Sequence, residues 1–109
     1  MGAFQTEHEF ELPKGYVDSD GNLHRKGKMR LATAEDEIEP MQDARVQDNP
    51  AYLAVAILAR LVTRLGPLKN DEIDQKLIGK LFSADFAYLQ DVYNRINSPD
   101  GEGPPAGEG

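Results

Sequence analysis

The chain has no cysteine, no tryptophan and only two histidines, His8 and His24, among its 109 residues. Without cysteine there is no disulfide, no thiolate nucleophile and no Cys-ligated zinc. The two imidazoles do not stand at a metal-binding spacing. An excess of positive charge is also lacking: 19 Asp and Glu against 12 Lys and Arg leave a net charge of −7 at pH 7. A chain of that sign has no general attraction to nucleic acid or to an anionic membrane surface, and neither is expected as a partner. Long apolar runs are absent too. The longest, "AYLAVAILA" from Ala51 to Ala59, is cut off by Arg60, well short of the roughly 20 residues of a spanning helix. No basic stretch followed by an apolar one opens the chain, so no secretory signal is expected. The opening "MGAFQT" fits the loose myristoylation pattern through Gly2 and Thr6, but no basic cluster supplies a second anchor.

What is present is a chemically dense stretch, "VDSDGNLHRKGKMRLATAEDE", from Val17 to Glu37. An EF-hand loop needs oxygen ligands at positions 1, 3 and 5, Gly at 6 and Glu at 12. Counting from Asp18, Gly21 falls at position 4 and Met29 at position 12, so calcium binding fails on spacing. A P-loop needs a Gly-rich turn ending in Gly-Lys-Ser/Thr, which is absent. The stretch predicts a β-hairpin, about Phe10 to Val17 and Leu23 to Leu31, turned by Asp20-Gly21, with Gly27 marking a bulge or bend. His24, Arg25, Lys26, Lys28 and Arg30 are then a solvated strand face.

A short helix follows over about 34–39, capped by Thr33 with Asp36 at the third position and ended by Pro40. The acids Glu35, Asp36, Glu37 and Glu39 complement its dipole. Met41 to Asp48 carries no clear pattern. "NPAYLAVAILARLVTRLG" predicts a helix over 50–65, with Asn49 as N-cap, Pro50 at the first position and Gly66 past its end. Almost every residue between is apolar, so the helix must be covered by its own domain or by a partner. Arg60 and Arg64 form a basic ridge whose natural partners are Asp36 and Glu39. Two further helices are expected at about 71–80 and 84–97, the last with Ser83 as cap and Phe86, Leu89, Tyr93 and Ile96 as its stripe. Residues 1–9 are expected to be flexible. The tail 98–109, "SPDGEGPPAGEG", has no apolar side chain larger than Ala and is expected to be disordered.

The fold class expected is therefore α+β: an N-terminal β-hairpin followed by a small bundle of three to four α-helices, with a disordered C-terminal tail. No catalytic, metal-ligating or cofactor-binding residue is expected, because no Gly-x-Ser-x-Gly elbow, metal-spaced His pair or glycine fingerprint occurs. No cofactor is expected either.

The succession "LPKGYVDSDGNLHRKGKMRLATAEDEI", "NPAYLAVAILARLVTRLG" and "LFSADFAYLQDVYNRIN" resembles the small tail assembly proteins of contractile phage tails and phage-tail-like injection systems. More distantly it is similar to the tail assembly chaperones of Mu-like and P2-like phages. The resemblance covers about Leu12 to Asn97 and includes Leu81, Phe82, Asp85 and Leu89 of the last helix. It implies a non-enzymatic protein of the bacterial cytoplasm that holds the tape-measure protein, or another tail component, during assembly. The alternative it leaves open is a structural part of the tail or baseplate retained in the particle; a homo-oligomer is also open. The partner-binding residues expected on the apolar helix are Tyr52, Val55, Ala59, Arg60, Val62 and Arg64.

Overall fold

Acids at Glu7, Glu9 and Glu11 alternate with His8, Phe10 and Leu12, and a period of two puts one set on each face of a strand. In the computed structural model, which describes residues 6–99, this segment is β1 (Glu7–Val17). It pairs antiparallel with β2 (Leu23–Arg30). The five-residue turn between them is organised by Asp18, whose Oδ1 accepts from the amides of Asp20 and Asn22 at 2.9 Å each. Only Gly21 in that turn takes a positive φ, +85°, so the turn is longer than the two-residue Asp-Gly type. The strand starts at Glu7, so residues 7–9, expected to be flexible, belong to β1, and residues 1–5 of that expectation lie outside the described residues. Gly2 of the myristoylation pattern and the tail from residue 100 lie outside the described residues.

Gly27 is not a bulge. It sits in regular register with Phe10 on one side and Leu65 on the other. A Cβ there would come within 2.4 Å of the Arg64 carbonyl oxygen and 2.6 Å of the Phe10 ring, so packing rather than bending demands glycine. The irregularities fall elsewhere, between Glu11 and Tyr16 in β1 and opposite Lys28 and Met29.

After β2 the chain turns through α1 (Ala34–Ile38), a 3-10 turn (Glu39–Gln42) and α2 (Ala44–Asp48). Thr33 caps α1 in a complete capping box with Asp36. A turn in which Asn49 Oδ1 accepts from Ala51 N leads into α3 (Tyr52–Leu61). The expected helix over 50–65 is therefore shorter at both ends. Val62 turns directly into β3 (Val62–Leu65), and β4 (Leu68–Lys69) folds back on it. Gly66, read as the residue past a helix, instead opens the two-residue β3–β4 turn with φ +58°, a position where glycine carries no steric cost.

The sheet has four antiparallel strands in the order β1-β2-β3-β4. A second 3-10 turn (Asn70–Glu72), α4 (Gln75–Gly79) and α5 (Ser83–Ile96) complete the chain. The expected helix over 71–80 thus splits into a turn and a short helix capped by Asp74. The residue before α5, Phe82, takes the cap position that Ser83 was expected to fill.

The helices cover one face of the sheet only. Phe10, Leu12, Met29, Val62 and Leu65 from that face meet Leu58, Leu61, Ile73, Ile78, Leu89 and Val92 in a single core. Burial of such side chains stabilises by roughly 1.5–3 kcal/mol each against full exposure. The architecture is α+β, two layers, with the apolar half of α3 pressed between sheet and helices. Among the described residues no helix is long and apolar enough to cross a membrane.

Candidate functional site

Asp85 is fully buried on α5. Its Oδ1 accepts from Lys14 N at 2.8 Å and its Oδ2 from Gly15 N at 2.9 Å. Tyr88, one turn further, accepts from Glu11 N through its hydroxyl at 3.1 Å. These two side chains take up outward amides along the irregular half of β1, whose outer edge would otherwise invite another strand. The buried stripe of α5 runs through Asp85, Leu89 and Val92; Phe86, Tyr93 and Ile96, expected on it, are half-buried at its flank. An acid four residues before Leu89 was the available signal for this anchor.

Asp36 is the second buried carboxylate. Arg30 grips both its oxygens at 2.8 and 2.9 Å, and Arg60 donates to Oδ1 at 3.2 Å while reaching Glu39 at 3.0 Å. The Arg30 guanidinium, with help from Thr33 and Arg60, holds the Asp36 carboxyl well below the usual carboxylate range. The neighbouring Glu37 accepts from the Tyr93 hydroxyl; burial first and this carboxylate second push the phenol up to about 12. The acid cluster thus ties α1, β2, α3 and α5 together. Arg60 belongs to this tie, as its expected pairing with Asp36 and Glu39 required.

The remaining residues expected at a partner site are scattered by the fold. Val62 is buried on β3 and Arg64 is exposed on the opposite face of the sheet, because the helix ends at Leu61. Ala59 is half-buried against the core. Tyr52 and Val55 do come together, on the wall of an open groove of about 390 Å³ between the start of α3, the end of α4 and the start of α5. Ala51, Ile78, Leu81 and Phe86 line it too, together with the polar Asn49 and Ser83. Tyr52 keeps 38% of its surface and Phe82, at the entrance to α5, 53%. The Arg45 guanidinium lies 5.6 Å from the Tyr52 ring centre and steadies the rim. Gly79 forms part of the wall, and a Cβ added there would meet nothing within 4 Å. Larger hollows of about 570 and 770 Å³ are lined mainly by charged side chains of the sheet.

The acidic turn at the hairpin tip has its own internal use. Asp18 Oδ2 lies 2.8 Å from His24 Nε2, and this contact, before the turn amides, lowers the Asp18 carboxyl. Arg25 is not on a free strand face: it donates to the carbonyls of Leu12 and Pro13. No family model, curated protein or solved structure matches the chain.

Proposed function

We propose that the protein is a non-enzymatic assembly protein of contractile tails or phage-tail-like injection systems, a bacterial cytoplasmic chaperone that holds helical stretches of the tape-measure protein. The observation that carries this is the apolar groove of Tyr52, Val55, Ile78, Leu81 and Phe86, with Phe82 exposed beside it. Apolar side chains of an amphipathic helix at i, i+3 and i+7 suit such a groove. Bare backbone at Gly79 lets a second helix approach closely. The net charge of −7 favours solubility of the complex.

The test fills the groove without disturbing the core. Gly79→Trp should keep wild-type helicity and melting behaviour, while capture of the co-expressed tape-measure protein falls at least about tenfold, about 1.4 kcal/mol. Wild-type capture by a folded Gly79→Trp variant, or no capture by the wild type, overturns the proposal. The alternative, a component retained in the tail or baseplate through strand addition, finds the β1 amides at Glu11, Lys14 and Gly15 already engaged by Tyr88 and Asp85. Mass spectrometry of purified particles separates the two: the chaperone is absent from the finished particle.

A further inference from the structure

The face of the sheet turned away from the helices carries charge in an ordered pattern. Glu9 and Glu11 of β1 stand opposite Lys28 and Lys26 of β2, an arrangement of opposite charges that stabilises a strand pair, while Arg30, opposite Glu7, is drawn to Asp36 of α1. The pattern breaks on the next two strands. Lys28 is paired in register with Arg64, and Arg64 with Lys69, so one row across β2, β3 and β4 consists of three cations. All three are exposed. Like charges directly opposite one another are destabilising. Among the described residues the only hydrogen bond from these three side chains is a long one, Arg64 Nε to the Gly66 carbonyl at 3.4 Å, and none makes an ion pair.

A solvated surface of an acidic chain would be expected to intersperse its few cations with acids. Here three of them lie in a line that meets an acid, Glu9, at its β1 end. The glycines beside the row give no independent sign of a ligand, since Gly27 and Gly66 are dictated by contacts with Phe10 and His24.

We propose that this row is a second docking surface, taking an acidic helix of a partner protein that lies across the strands. Adjacent strands are about 4.8 Å apart, so the three cations span about 10 Å. A helix rises about 1.5 Å per residue, so acids at i, i+3 and i+7 fall at about 4.5 and 10.5 Å along its axis. The two spacings match. A nucleic-acid duplex, with a charge for about every 1.7 Å of axis, would instead lie over the acids of β1 on the same face. The surface is independent of the apolar groove, and its test does not rest on the tape-measure reading.

The probe is a fluorescein-labelled, alanine-based helical peptide with Glu at i, i+3 and i+7, read by anisotropy against the full chain. The control carries Gln in place of Glu. Binding to wild type should be saturable, should exceed that of the control, and should weaken between about 20 and 200 mM salt as exposed charges are screened. Arg64→Gln with Lys69→Gln should weaken it about fivefold to tenfold, with circular dichroism unchanged. Gly79→Trp should leave it intact. Equal binding of the Gln peptide, or of the double variant, overturns the proposal. So does equally strong competition by a DNA duplex, which would make the row a general polyanion surface. Self-association lost with the same two substitutions overturns it as well, assigning the row to a second copy of this chain.

Discussion

Asp85 on α5 and Gly15 in the irregular half of β1 are held together at 2.9 Å, carboxylate oxygen to backbone amide, across 70 positions of sequence. Gly15 has φ +107°, and a Cβ there would collide with Leu23 and Arg25. The bend in β1 thus depends on a glycine that permits it and on an acid that satisfies the amides it turns outward. Neither works without the other.

Replacing Asp85 with Ala should cost roughly 2–4 kcal/mol, since two amides lose a buried acceptor. Asn should rescue little of this, because both carboxylate oxygens accept and an amide nitrogen cannot. Urea denaturation checks it. A loss below about 1 kcal/mol for either variant would mean that water takes over the carboxylate's role.

Acid should weaken the tie around Asp36. Its pKa is depressed in the folded protein, so its contribution is complete above the unfolded value near 4 and is lost as pH falls from there toward the lower folded value. Asp36→Asn should be roughly 2–3 kcal/mol less stable at pH 7. Its stability should also change less than wild type between about pH 4 and pH 2. Melting temperature against pH distinguishes the two curves, and parallel curves would refute the assignment.

The two glycines at strand and helix should respond in opposite directions. Gly27→Ala drives a methyl group into the Arg64 carbonyl and the Phe10 ring and should destabilise by roughly 1–3 kcal/mol. Gly79→Ala enters open space at the end of a helix and should be neutral or stabilising by up to about 1 kcal/mol. Thermal unfolding of the pair tests this; equal effects would contradict the packing.

Glutamate substitutions should divide the helix residues named from sequence. Val62, 1% exposed, lies in the core, and Val62→Glu should unfold the protein because an unpaired buried charge costs several kcal/mol. Tyr52→Glu, on the groove rim, should keep the far-ultraviolet circular dichroism of wild type. A folded Val62→Glu would show that β3 can leave the sheet.

Local chemistry was legible where one short-range rule acted alone. Thr33 with Asp36 gave the cap, the Asp20-Gly21 turn signal gave the hairpin, and Arg60 found the acids predicted for it. The stretch Val62–Leu65 was not legible, because "VTRL" after ten apolar-rich helical residues continues either period equally well. Its strand is decided by pairing with β2, a contact across more than 30 positions. A helix running through that segment makes Gly66 a helix stop and puts Val62 and Arg64 on one surface, whereas in the sheet they lie on opposite faces. The spacing of Asp85 to Leu89 puts the acid on the buried side of α5, but its partners are amides of β1 about 70 positions away, which that spacing does not identify.

Leu61 ends α3 and Val62 begins β3 with no residue between them. Asn70 fastens the junction, its Nδ2 donating to the Val62 carbonyl at 2.7 Å. The groove wall at Tyr52 and Val55 and the cation at Arg64 therefore lie on consecutive elements with no connecting loop. No loop there takes up slack, so the register of β3 against β2 also fixes where α3 ends.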